Sequence, residues 1–246
     1  MRIGAITDIH ANLPALEAVL ADVEANGVEQ VWCLGDVLGY GVEPDACTDL
    51  VRERCEICLV GNHDLAVLGS LDIASFSEAA AAAVEWTRAN AGDRTLEFLR
   101  DLEPQGERGG YGLFHASPRD PVWEYVLSSE QADAGMDASA QRVGLIGHSH
   151  VALFFNRPAQ GKVDETRGAQ ANDGARVDLD QGDWLINPGS VGQPRDGDPR
   201  AAWLELDTEA ETACFHRVPY DIERAAVPIA EAGLPSRLAD RLYIGQ

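Results

Sequence analysis

Strand and helix signals alternate without interruption over the first 64 residues, and few architectures accommodate that order. "RIGAITDI" is apolar and β-branched, and "LPALEAVLADVEANG" then places Leu16, Val19, Leu20 and Val23 at helical spacing. "VEQVWCLGD" reads as a second strand, "PDACTDLVRERC" as a second helix and "EICLVGNHD" as a third strand. Asn12 stands where it can cap the first helix and Gly27 where it can end it. A β-α-β-α-β order implies parallel neighbours joined by right-handed crossovers, with the loops gathered at the carboxyl ends of the strands. Those ends hold the polar residues.

A helical segment follows from about Phe76 to Leu102, with a break near "NAGD". "YGLFHASP" and "RVGLIGHSH" are strands that run into polar tips, with a short helix at "SSEQADAGMDA" between them. Beyond them "VALFFNRP", "DWLINPGSV", "AAWLELD" and "ACFHRVP" are short strands separated by turn residues. The tail from Asp221 reads as helix, stopping near "GLPS" and resuming after it, and residues 159–176 are the most loop-like stretch. No repeat and no linker divides the chain, so one domain over residues 1–246 is expected, with two sheets and helices outside. The apolar run "ALFFN" is expected at a sheet edge, open to a partner or covered by the C-terminal helices, which leaves the oligomeric state open.

Collected by position, the polar tips form a set. Asp8 and His10 follow the first strand, Asp36 the second, and Asn62, His63 and Asp64 the third. His115 follows the next, and His148 with His150 the one after; of six histidines only His216 lies elsewhere. Each tip alone has an ordinary reading as a helix cap or turn residue. A single metal centre accounts for all of them together. Residues two apart on an extended chain point to the same side, so Asp8 with His10, and His148 with His150, can each converge on one point. Carboxylate, imidazole and amide oxygen without thiolate suit Mn, Fe, Co, Ni or Zn. Seven ligands are too many for one tetrahedral ion and fit two ions that share a carboxylate.

The series Asp8-Ile9-His10, Gly35-Asp36, Gly61-Asn62-His63-Asp64, His115 and Gly147-His148-Ser149-His150 resembles the metallophosphoesterase, or calcineurin-like phosphoesterase, superfamily over residues 8–150. Ser149 stands where a threonine is usual. "NPGSVGQPRDGDPRAAW" is further similar to the branch of small bacterial and archaeal phosphodiesterases and dinucleoside-polyphosphate hydrolases. The resemblance implies an α/β fold, a two-sheet β-sandwich flanked by helices in four αββα layers. It also implies two divalent metal ions, with Mn the first expectation and Fe, Zn, Ni or Co as alternatives. By the same resemblance Asp8, His10 and His150 hold one ion, Asn62, His115 and His148 the other, and Asp36 bridges them. His63 then stands beside the phosphoryl group rather than on metal.

The expected reaction is hydrolysis of a small phosphoester, whether phosphodiester, nucleotide or dinucleoside polyphosphate, by a hydroxide generated between the two ions. His63 protonates or stabilises the leaving alkoxide. Asp64 either orients that imidazole or serves as a turn or capping group. Asn12 either reaches a phosphate oxygen or caps its helix, and Arg195 either binds phosphate in bidentate fashion or pairs with Asp196 or Asp198. Tyr40 either stacks on a base or packs. Two other classes compete. One is a catalytically idle metal-binding module of the same fold, against which the intact His63 weighs. The other is a protein serine/threonine phosphatase, against which the short chain weighs.

Charge narrows the partners. Forty-one Asp and Glu against nineteen Lys and Arg give a net charge of −22, a surface that repels long nucleic acid. Small anionic substrates stay accessible where bound cations override that field. Lysine occurs once, at Lys162, and nothing in the pattern explains the preference for arginine. No stretch approaches the roughly 20 apolar residues that span a bilayer, and "MRIGAITDIH" lacks a signal-peptide core. Five cysteines, an odd number, fit a reducing compartment. A cytoplasmic location without a membrane partner is therefore expected. Cys55 and Cys58 form a lone CxxC with no second pair, so buried thiols are the better reading.

Overall fold

The computed structural model describes residues 1–159 and 165–246. It opens with β1 (Arg2–Ile6), α1 (Leu13–Ala25), β2 (Gln30–Cys33), α2 (Pro44–Arg54) and β3 (Ile57–Cys58). The three strands are parallel neighbours, with Ile3 opposite Gln30 and Cys33 opposite Cys58. Asn12 caps α1 by accepting from the Ala15 N–H, and Leu16, Val19, Leu20 and Val23 form its buried face. The third strand is shorter than the sequence suggests, because the chain turns at Gly61 into α3 (Asn62–Val67).

The expected long helix is two, α4 (Glu78–Asn90) and α5 (Asp93–Arg100), broken at Ala91-Gly92. The second sheet starts with β4 (Gln105–Arg108) and β5 (Tyr111–Phe114), a hairpin turned by Gly109 and Gly110 in left-handed conformations. It continues through α6 (Ser129–Ala138), β6 (Val143–Leu145), β7 (Leu153–Arg157) and β8 (Arg167–Gln170). The remaining elements are β9 (Arg176–Asp178), β10 (Asp183–Asn187), β11 (Ala201–Asp207), β12 (Thr212–Val218), α7 (Ile222–Glu231) and α8 (Arg237–Asp240). Two six-stranded mixed sheets result, in the orders β3-β2-β1-β11-β12-β9 and β4-β5-β6-β10-β7-β8.

Period-two alternation assigns each strand's side chains to a layer. Ile3 and Ala5 of β1 and Trp32 of β2 enter the core between the sheets, where they meet Leu145, Ile186, Leu204 and Phe215. Ile6, Val31 and Cys33 point the other way, onto α1 and α2. On the outer face of the second sheet Phe114, Phe155 and Leu185 pack against Ala132 and Met136 of α6. The layering is the expected helix, sheet, sheet, helix. Helices α7 and α8 join α4 in a smaller cluster around Ala83, Ile229 and Leu238.

Two expectations are corrected. The stretch 159–176, expected to be loop, contains β8 and the start of β9, while residues 160–164, including Lys162, lie outside the described residues. All four β8 residues are exposed on the sheet edge, so the strand lacks the alternation by which strands are recognised. The "ALFFN" run is not an edge: β7 lies between β10 and β8. Among the cysteines, all free, Cys33 and Cys47 are buried and the other three half-buried. No helix among the described residues is long and apolar enough to cross a membrane.

Candidate metal centre

Parallel pairing of β1 and β2 sets their carboxyl ends side by side, with the Asp8 N–H donating to Gly35 O and the His10 N–H to Asp36 O, both at 3.0 Å. In the other sheet the Gly147 N–H donates to His115 O at 2.7 Å, bringing the ends of β5 and β6 together. The expected tips thus meet where the two sheets' loops face each other. Their convergence does not come from extended chain. Asp8, His10, Asp36, His148 and His150 all adopt left-handed backbone conformations, with φ of 54°, 52°, 54°, 64° and 59°. Such residues bend the chain sharply, so each pair enters the centre from a turn. Each left-handed non-glycine residue costs about 1 kcal/mol or more.

The carboxylates share one design. Asp8 Oδ2 accepts from the His148 N–H at 3.1 Å, while Oδ1 lies 3.5 Å from His150 Nε2 and 4.0 Å from His10 Nε2. Asp36 Oδ1 accepts from the His63 N–H at 2.8 Å, while Oδ2 lies 3.6 Å from both His10 Nε2 and His115 Nε2. One oxygen is anchored to backbone and the other faces imidazole nitrogens. The imidazoles are oriented in the same way: Nδ1 of His10, His115 and His150 bonds the carbonyls of Leu38, Leu34 and Gln193 at 2.9, 3.0 and 2.6 Å. As donors to those carbonyls they carry the proton on Nδ1 and present an Nε2 lone pair inward. Asn62 Oδ1 lies 3.1 Å from His115 Nε2. Among the described residues, ligand atoms lie within 4.8 Å of one another in three groups: Asp8-His10-His150, His10-Asp36-His63 and Asp36-His115-His148.

The second-tier residues resolve differently. Asp64 accepts from the N–H groups of Gly61, Leu38 and Val37 at 2.9, 2.9 and 3.2 Å, and no hydrogen bond joins it to the His63 ring. The expectation that it orients His63 gives way to the capping role, since three N–H donors hold its carboxylate. Asn12 is likewise committed, with Oδ1 on Ala15 N–H and Nδ2 donating to Gly192 O and the Tyr220 hydroxyl, so it caps and clamps rather than reaching a phosphate. The buried Tyr40 ring packs against His10 and His63, with centroids 4.6 and 4.4 Å away, and leaves no arrangement suited to stacking on a base. Arg195 pairs with neither Asp196, which engages Arg217, nor Asp198, which engages Arg200. Its guanidinium donates to the Tyr40 hydroxyl and Gln193 Oε1. His216 lies apart, stacked on Trp203.

Three aromatic residues join the site without having been expected there. Tyr125 lies 4.2 Å from His148 between ring centroids, and Phe76 lies 5.0 Å from His63 and 5.2 Å from Trp123. They come from irregular segments around 76 and 118–127, where no periodicity marks a facing direction. The aromatic pair two apart in "VWEYV" is the one signal available in the sequence.

Burial governs the electrostatics. It pushes the Asp8 carboxyl up to about 7 and, with the Asp64 charge adding, holds Asp36 well above the carboxylate range. It also keeps His10, His63 and His150 well below the ordinary imidazole value and takes His148 to about 3. Neutral imidazoles are the form that ligates metal. Asp8 Oδ1, Asp36 Oδ2, His63 Nδ1 and His148 Nε2 are buried without a hydrogen-bond partner among the described residues, each an unfavourable state worth about 1–3 kcal/mol. These inward atoms, all nitrogen or oxygen, fit divalent cations of borderline to hard character.

Fold and cluster together define an α/β sandwich whose Asp and His groups can hold metal ions. The family model of the calcineurin-like phosphoesterase superfamily domain matches residues 1–209. The chain belongs to that superfamily, whose members are metal-dependent, and the cluster supports a metal-dependent phosphoesterase. It is 35% identical to an uncharacterised protein of Methanocaldococcus jannaschii, over 99% of this chain and 98% of that one. A crystal structure of a metallophosphoesterase from Sphaerobacter thermophilus superposes with a TM-score of 0.89 at 40% identity, covering 100% and 99% of the two chains. A hypothetical protein of Pyrococcus horikoshii, 19% identical with 100% and 98% coverage, shares the fold at a TM-score of 0.78.

Proposed function

We propose that the chain hydrolyses small phosphoesters at a pair of divalent ions, with Mn the first candidate and Fe, Zn, Ni or Co as alternatives. The observation that carries this reading is Asp36 Oδ2, equidistant at 3.6 Å from His10 Nε2 and His115 Nε2 and so suited to serve both halves of the cluster. Asp8, His10 and His150 would hold one ion, and Asn62, His115 and His148 the other. Ions at these ligands supply Lewis-acid activation of water and of the phosphoryl group.

The remaining work falls to the chain's own side chains. His63, whose Nδ1 has no partner among the described residues, stands where it can pass a proton to the leaving oxygen. Burial keeps it neutral at rest, and the negative charge of a phosphoester beside it offsets that burial and favours proton uptake. Arg195 is a cation without a carboxylate partner among the described residues, placed to bind a phosphate oxygen. Phe76, Trp123 and Tyr125 form a wall that limits water.

Manganese-loaded protein is expected to release p-nitrophenol from bis-p-nitrophenyl phosphate or p-nitrophenyl phosphate. His63→Ala should retain its metal while kcat falls about 10²- to 10⁴-fold. Metal-loaded protein that cleaves neither compound would overturn the reading.

A further inference from the structure

Arg237, Leu238, Asp240, Arg241 and Ile244 border a cavity of about 440 Å³ that also touches Tyr40, the residue packed on His10 and His63. That volume falls within the range of small-molecule sites. The charges around it are unusual for a chain of net charge −22. Neither Arg237 nor Arg241 has a carboxylate within ion-pair distance among the described residues, and Arg195 reaches the same Tyr40 through its hydroxyl at 3.2 Å. Asp240 is the one acid bordering the cavity, against two arginines. Arg241 is half-buried, its Nε donating to the Gln246 carbonyl, and burial together with the Arg195 charge presses its pKa below the usual guanidinium value. Two like charges thus sit near one another with no carboxylate pairing them, an arrangement that favours an anion.

We propose that this cavity binds a second phosphate of the substrate, remote from the phosphoryl group held at the metal centre, with Arg241 as its principal ligand and Arg237 and Arg195 at its sides. The substrate class is then a small phosphoester bearing a second phosphate, its apolar portion lying against Tyr40, Leu238 and Ile244. The assignment rests on the reading of the neighbouring cluster as the place of phosphoester cleavage.

Two measurements separate the failures. The first compares manganese-loaded wild type and Arg241→Gln on bis-p-nitrophenyl phosphate and on the p-nitrophenyl ester of thymidine 5′-phosphate carrying a 3′-phosphate. The KM ratio of the two substrates should shift about tenfold or more against the bisphosphate in the variant, the loss expected for one charge-assisted phosphate contact. A ratio unchanged within about twofold overturns the proposal. Should wild type cleave neither ester, the reading of the cluster fails, and calorimetry of inorganic tripolyphosphate binding decides the cavity alone. Binding weakened about tenfold by Arg241→Gln supports it, and equal binding to both proteins overturns it.

Discussion

Asp8 and Asp36 are each held by one oxygen on a backbone N–H while the other faces the imidazoles, so their protonation controls what the cluster can bind. Burial lifts Asp8 to about 7, so in the metal-free protein this carboxyl is neutral below that pH. A divalent ion must displace its proton there, and affinity falls as pH falls, by about tenfold per unit for each proton displaced. Above about pH 7 the Asp8 contribution levels off. The imidazoles, held below their ordinary value, add no competition until more acidic conditions. Calorimetric titration of Mn into metal-free protein, in buffers of different ionisation enthalpy, should therefore detect proton release below pH 7 that diminishes above it. Binding independent of pH over that interval would remove Asp8 from the ligand set.

The turn after β6 illustrates how an element positions chemistry. Gly147 passes so close to the first sheet that a Cβ there would lie 2.2 Å from Thr7 Oγ1 and 3.2 Å from Asp8 Oδ2, leaving no room for any side chain. Gly147→Ala should cost about 1–3 kcal/mol through overpacking and, by displacing Asp8 and the following His148, weaken Mn binding at least several-fold. A thermal melt and a metal titration check both, and a variant indistinguishable from wild type in either would show that the turn has slack. Helices α1, α2 and α4 are legible in the sequence because each buries one face of a 3.6-residue period. Strands β4 and β8 are not, because all their residues are exposed and alternation has nothing to mark. Asn62, His63 and Asp64, which follow a strand in sequence, turn out to form the first turn of α3.

At the scale of the molecule, a net charge of −22 coexists with a cationic cavity beside the site. Screening reconciles them: at physiological ionic strength fields decay over about 8 Å, so nearby arginines act on a small bound anion while a long polyanion meets the acidic surface as a whole. Duplex DNA should show no retardation with this protein in a gel-shift assay at physiological salt, and a stable complex would refute that balance. The nine polar tips and the order of strands were legible in the sequence, because backbone pairing forces strand-end residues of parallel neighbours together whatever the intervening loops. The roles of Asp64, Asn12 and Tyr40 were decided only by tertiary structure, since each has two chemically adequate partners in sequence and only the packed chain fixes which one lies within hydrogen-bond or van der Waals reach. The same holds for the cavity at Arg241, whose walls come from segments some 200 residues apart. No local pattern encodes a distance of that kind; it arises when α8 docks over the loop that carries Tyr40.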